Sequence, residues 1–86
     1  MGHRDKRAIA SEMIEKSRNG ARKTQLMSRV GMSTTQVNIY LDELEKRKLL
    51  EKKDNNGNGG IKWYATETGK EFVIAYRKVE KYYPAN

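Results

Sequence analysis

Between Lys53 and Ile61 the chain reads Asp54-Asn55-Asn56-Gly57-Asn58-Gly59-Gly60, seven consecutive residues drawn only from Asp, Asn and Gly. These residue types take positive φ at the least cost, so no helix or strand crosses this point and the chain must reverse here. On the far side Ile61, Trp63 and Ala65 alternate with Lys62 and Tyr64, the two-residue period of a strand with one face buried, and Trp63 is the expected anchor of that face. The runs Leu49–Lys53 and Ile61–Ala65 are therefore expected to pair as a β-hairpin with a Gly-rich tip.

Everything before the hairpin has helical spacing. From about Asp5 to Ser17, Ile9, Met13 and Ile14 share one face while Lys6, Arg7, Glu12 and Glu15 lie elsewhere, and Asn19-Gly20 supplies the stop. A second, short helix is expected over Lys23–Val30, carried by Leu26, Met27 and Val30 and ended by Gly31. Ser33 followed by Gln36 is a capping-box pair, which starts a third helix at Thr34. Its stripe Val37, Tyr40, Leu41 and Leu44 faces inward and leaves Thr35, Gln36, Asn38, Ile39 and Asp42 off the core. Lys46, Arg47 and Lys48 complement the dipole at its C-terminal end. After the hairpin, Thr66 caps a last helix from about Glu67 to Tyr83, with Pro84 as its stop. The fold class is thus α+β, mostly α.

Eighty-six residues, 36% of them apolar, suffice for one compact domain and leave no room for a second. No stretch has the length and apolarity of a membrane span or a secretory leader, so a cytoplasmic, nucleoid-associated protein is expected. The absence of cysteine removes disulfides, thiolate metal sites and a cysteine nucleophile together. Eighteen Lys and Arg against eleven Asp and Glu give a formal charge of +7, which favours a polyanionic partner through counterion release.

Catalysis finds little footing. The sole histidine, His3, lies in a polar N-terminal arm, and Gly57-Asn58-Gly59-Gly60 lacks both the Gly-Lys-Ser/Thr end and the following helix of a phosphate-binding loop. Asp42, Glu43 and Glu45 have no sign of the burial or pairing that tunes a carboxylate for acid-base work. No enzyme, cofactor, metal or small-molecule ligand is expected.

The order helix, helix, Gly turn, capped helix, hairpin and final helix resembles the winged helix-turn-helix proteins of archaea. The resemblance rests on Lys23-Thr24-Gln25-Leu26-Met27, Gly31-Met32-Ser33, Tyr40-Leu41-x-x-Leu44, Leu49-Leu50-Glu51 and Trp63-x-Ala65-Thr66-x-x-Gly69. It covers roughly Lys6 to Tyr83, with Ala65 standing where a larger aliphatic residue is usual. It implies a winged helix-turn-helix domain over residues 1–66, followed by a dimerising C-terminal helix and tail over 67–86, together one structural unit.

It also implies that the helix from Thr34 lies in the major groove of double-stranded DNA while the hairpin touches the backbone or minor groove. The residues agree in one respect: Ser33, Thr34, Thr35, Gln36 and Asn38 are short polar groups near a helix start, able to reach base edges and phosphates. Arg22, Lys23, Thr24 and Arg29 around the second helix, and Lys52, Lys53 and Lys62 on the strands, are candidates for the flanking phosphates. The wing tip carries no Lys or Arg, so Asn56 and Asn58 offer at most bonds to phosphate or sugar. With no arginine between Ser33 and Glu45 to read guanine, specificity is expected to be modest or to lean toward A·T.

In the last helix Phe72, Tyr76, Val79 and Tyr83 are spaced 4, 3 and 4, a heptad-like seam. Its first half can pack on the domain, whereas Val79, Tyr82 and Tyr83 need an outside partner, and a two-fold homodimer is expected. Two other readings stay open: a winged helix serving as a protein–protein module, and an architectural protein coating DNA without sequence preference.

Overall fold

A computed structural model describes residues 5–55, 57 and 59–84. Four helices, α1 (Lys6–Lys16), α2 (Lys23–Val30), α3 (Thr34–Lys46) and α4 (Glu67–Tyr82), surround one antiparallel hairpin of β1 (Leu50–Asp54) and β2 (Ile61–Ala65). The helix starts follow from side-chain caps. The Ala8 amide donates to Asp5 Oδ1 at 2.8 Å, and the Gly69 amide donates to Thr66 Oγ1 at 2.9 Å. Ser33 and Gln36 close the capping box in both directions, with the Gln36 amide on Ser33 Oγ at 3.2 Å and the Ser33 amide on Gln36 Oε1 at 3.1 Å. Each bond satisfies an amide that the first helical turn leaves without a partner.

The end of α3 differs from the expectation for the first strand. Lys48 takes the left-handed conformation at φ 60°, its amide donates to the Glu45 carbonyl at 3.0 Å, and the Leu49 amide donates to the Leu44 carbonyl at 2.9 Å. This is a Schellman closure with lysine in the position that glycine usually fills. It takes the Leu49 amide for the helix end, so β1 runs over Leu50–Asp54, one residue later than Leu49–Lys53.

The core joins all three N-terminal helices to the hairpin: Met13 and Ile14 from α1, Leu26 and Val30 from α2, Val37, Leu41 and Leu44 from α3, with Leu50, Trp63 and Val73 closing it. Trp63 is buried as expected, and its backbone makes a further bridge: the Ala21 amide donates to the Trp63 carbonyl at 3.0 Å and the Trp63 amide to the Ala21 carbonyl at 2.8 Å. Residue 21 thus extends the two-stranded sheet by one rung beside β2. The Trp63 indole Nε1 also donates to Glu45 Oε2, tying the hairpin to the last turn of α3. Ile61 departs from the inward alternation: it is exposed because it pairs with Asp54 at the outer end of the ladder, past the helices that cover Trp63.

The junction between wing and α4 is held by one threonine. Thr66 Oγ1 donates to the Lys48 carbonyl at 2.6 Å while accepting from Gly69, and the Thr66 amide donates to the Leu49 carbonyl at 3.3 Å. Gly69 lies against that same carbonyl, leaving no space for a side chain. From this junction α4 crosses α1, burying Val73 and half-burying Phe72 and Tyr76, whose rings stack with centroids 6.4 Å apart. The Tyr76 hydroxyl donates to Glu80 Oε2 at 3.0 Å, and burial, helped by that carboxylate, pushes its pKa up. Sixteen residues make a rod of about 24 Å, and the far turn overhangs: Val79, Tyr82 and Tyr83 are 57%, 80% and 84% exposed. The radius of gyration, 13.0 Å, exceeds the roughly 12 Å of a compact domain of this length accordingly.

Candidate nucleic-acid interface

Opposite its buried stripe, α3 presents Thr35, Asn38, Ile39, Asp42 and Lys46 to solvent. These positions follow from the 100° turn per residue once Val37, Leu41 and Leu44 are fixed inward. Within this face the polar groups are not equivalent. Gln36 spends its carbonyl oxygen on the Ser33 amide and hydroxyl, and Ser33 spends its hydroxyl on the Gln36 amide. The Thr34 hydroxyl donates to the Met27 sulfur at 3.8 Å. Thr35 and Asn38 make no side-chain hydrogen bond among the described residues, so these two are free to bond an incoming partner. Asp42 and Lys46 pair with each other at 3.4 Å, which neutralises the lower end of the face.

A second cluster lies where the start of α2 meets the base of the wing. The cap residue of α2 is Arg22, whose side chain has no acceptor; its amide donates instead to Gln25 Oε1 at 2.9 Å. The start of α2 therefore has a cation rather than an acceptor oxygen at its cap, which suits an anion. Arg22, Lys23 and Thr24 line a shallow concavity with Gly57, Gly59, Gly60 and Ile61. The Lys62 and Arg22 side chains both lie alongside Gly59. The helix start, two cations and a glycine backbone thus come together in one cradle, with the size and charge to suit a single phosphate.

The strand lysines divide between faces. The register pairs Lys52 with Trp63 and Lys53 with Lys62, so Lys52 lies on the Trp63 side of the ribbon and Lys53 and Lys62 on the other. Lys53 is engaged within the domain, 5.2 Å above the Tyr64 ring and 3.7 Å from Glu51 Oε2. Arg29, exposed in the last turn of α2, has no ion pair among the described residues. Asn56 and Asn58, the wing-tip candidates, lie outside the described residues, as does His3.

Three features of the site go beyond the sequence expectations. The Glu45–Trp63 bond couples residues 18 apart, which no local pattern signals. The cradle requires Arg22 and Gly59 to meet in space. Ile39 is the one apolar residue among the off-core positions of α3, a signal that the helical period does carry.

The α4 residues expected at an interface separate as the helix geometry dictates. Phe72 and Tyr76 are half-buried, and Val79, Tyr82 and Tyr83 are exposed. Asp5, Arg7, Tyr76, Val79 and Tyr83 border a groove between the start of α1 and the end of α4. Among the described residues no cluster of three or more His, Cys, Asp and Glu side chains is placed to hold a metal, and no helix is long and apolar enough to cross a membrane.

The family model described as winged helix-turn-helix matches residues 3–83. No curated protein matches the sequence. Among solved structures, a MepR variant from S. aureus superposes with a TM-score of 0.73 at 14% identity, covering 87% of this chain and 56% of that one. The S. aureus MepR–DNA complex gives 0.71 at 15%, covering 85% and 63%. The multiple antibiotic-resistance repressor (MarR) of Listeria monocytogenes gives 0.65 at 15%, covering 88% and 58%. The chain thus spans little more than half the length of these neighbours, and at such identities the likeness is one of fold.

Proposed function

The chain belongs to the winged helix-turn-helix family, and from that premise we propose that it binds double-stranded DNA as a small transcriptional regulator of the cytoplasm and nucleoid, without enzymatic activity. In this reading α3 enters the major groove with Thr35 and Asn38 at the base edges, and the cradle of Arg22, Lys23, Thr24 and Lys62 holds a backbone phosphate beside it. Ser33, Thr34 and Gln36 fix the start of the helix; the Ser33 and Thr34 hydroxyls already donate to Gln36 Oε1 and the Met27 sulfur, so only the Gln36 Nε2 group keeps donors for DNA. Arg29 and Lys52 add phosphate contacts on either side, with the wing against the backbone. The observation that carries the reading is that the two side chains left free on α3 accompany a neighbouring helix start whose cap is a cation. That a structural neighbour, S. aureus MepR, is solved in complex with DNA supports the same choice of partner.

Within this reading residues 1–66 act as the DNA-binding unit, and 67–86 pair two copies through Val79, Tyr82 and Tyr83, with Phe72 and Tyr76 backing the contact. The motif order, which resembles that of archaeal winged helix-turn-helix proteins, supports a regulator of the archaeal type. A second reading, architectural coating of DNA, is favoured by the capping duty of Gln36, which removes one base reader from α3.

Fluorescence anisotropy of a labelled 20-base-pair duplex of random sequence, titrated at several salt concentrations, tests the proposal. The affinity is expected to fall steeply with salt, and Arg22→Ala/Lys62→Ala to reduce the log-log slope by about 0.9, the contribution of the one phosphate left unneutralised. An unchanged slope in the double variant removes the cradle from the interface. Absence of binding at low salt would turn the assignment toward a protein–protein module.

A further inference from the structure

Ile39 is 60% exposed in the middle of α3. A single exposed isoleucine is ordinary on a protein surface, but its position here is particular. It lies about 200° around the helix from Val37, with Thr35 four residues before it and Asp42 three after it on the same outward face. No other large apolar side chain among the described residues shares that face: the remaining exposed ones, Ile61, Ile74, Val79, Tyr82 and Tyr83, belong to the wing and α4. Isoleucine is also a poorer helix former than the polar residues that usually cover a solvated face, so folding gains nothing from it at this position.

We propose that Ile39 reads the 5-methyl group of thymine in the major groove, which makes it a specificity-determining residue of the DNA site. This rests on the DNA-binding reading of α3 given above. The chemistry is narrow: of the groups that base edges present in the major groove, only the thymine methyl is apolar, and an aliphatic side chain gains from it by excluding water. Ile39 is the sixth residue of α3, about 7.5 Å along the axis from its first residue, within the N-terminal half that a recognition helix offers to bases. Asn38, free and adjacent, is suited to the adenine edge, and no arginine between Ser33 and Glu45 competes for guanine. Both neighbouring facts assign the methyl to an A·T pair.

The test uses two defined polymers, poly(dA-dT) and poly(dA-dU), which differ only in that methyl, as competitors against a labelled random duplex. The intact protein is expected to prefer the thymine polymer by about fourfold for each methyl covered, the factor that burying one carbon of this kind supplies. Ile39→Ala should compete equally with both, and Ile39→Val should keep most of the preference. Alanine is a better helix former than isoleucine and the site is exposed, so the variant folds; its circular dichroism melt verifies this. A preference that persists in Ile39→Ala overturns the assignment, as does an intact protein that binds both polymers equally with its salt dependence intact. Failure of either polymer to compete at any salt would overturn the DNA-binding reading as well, which separates the two claims.

Discussion

Gly69→Ala should lower the melting temperature by roughly 8–16 °C, measured by circular dichroism at 222 nm. A β-carbon at this position collides with the backbone carbonyl of Leu49 and approaches Ile14 Cγ2 to 3.3 Å. Neither neighbour is the loose end of a long side chain. The Leu49 carbonyl accepts from Thr66, and Ile14 is fully buried in the core. Relief must therefore come from sliding α4 away from the wing junction, which loosens the Thr66 bonds to the Lys48 and Leu49 carbonyls. Overpacking of this kind costs about 3 kcal/mol, and the better helix propensity of alanine returns about 1 kcal/mol. The net loss of about 2 kcal/mol or more corresponds to that shift in a domain of this size. Gly31→Ala is the informative control. Gly31 needs φ 76° but has nothing within 4 Å of an added carbon, so only the left-handed backbone penalty of about 1 kcal/mol applies. If Gly69→Ala melted no lower than Gly31→Ala, the close approach at the junction would be wrong.

The second large effect concerns assembly. If two copies pair as proposed, Tyr82→Asp/Tyr83→Asp is expected to turn that homodimer into a monomer at about 10 μM by sedimentation equilibrium, and to weaken binding to a two-half-site duplex by about a hundredfold or more. Both rings stand in solvent at the overhanging end of α4, next to the groove between α1 and α4. A two-fold axis would bury each of them twice, and each buried aromatic stabilises by about 1.5–3 kcal/mol. That sum is comparable with the cost of association, so two aspartates in place of the rings leave the interface unable to form. DNA affinity follows because linked half-sites gain a factor of roughly 10² to 10⁴ from each other. A double variant that keeps both its mass and its affinity contradicts pairing through α4.

Particular residues mark how far the sequence reaches. Ser33 and Gln36 locate the start of α3 to the residue, and Thr66 does so for α4, because a capping interaction is completed within one turn. The bounds of α2 and β2 are legible for the same reason, with Gly31 closing one and the Asn/Gly run opening the other. The first strand slips by one position because Lys48 takes a conformation that glycine normally announces; nothing in the side chain signals it. The candidate site is legible as a set of residue types, yet its working arrangement is not. Gln36 has both the spacing of a cap and the chemistry of an adenine reader, and only the structure shows that its oxygen is already committed. Lys52 and Lys53 are neighbours in sequence and lie on opposite faces of the ribbon, as strand alternation requires. Arg22 and Lys62 are 40 positions apart in the chain and meet at Gly59, which alternation cannot foretell.

Entry of α3 into the major groove is tested most directly by the anisotropy salt titration repeated with Thr35→Ala/Asn38→Ala. Both side chains are exposed and unbonded among the described residues, so the variant keeps its stability and its net charge. Its affinity is predicted to fall by about 1–3 kcal/mol, roughly tenfold or more, with the salt slope nearly unchanged, since the base edges go unread while the phosphates stay neutralised. An affinity equal to that of the unaltered protein at every salt concentration would contradict groove insertion and leave a backbone-only mode of binding.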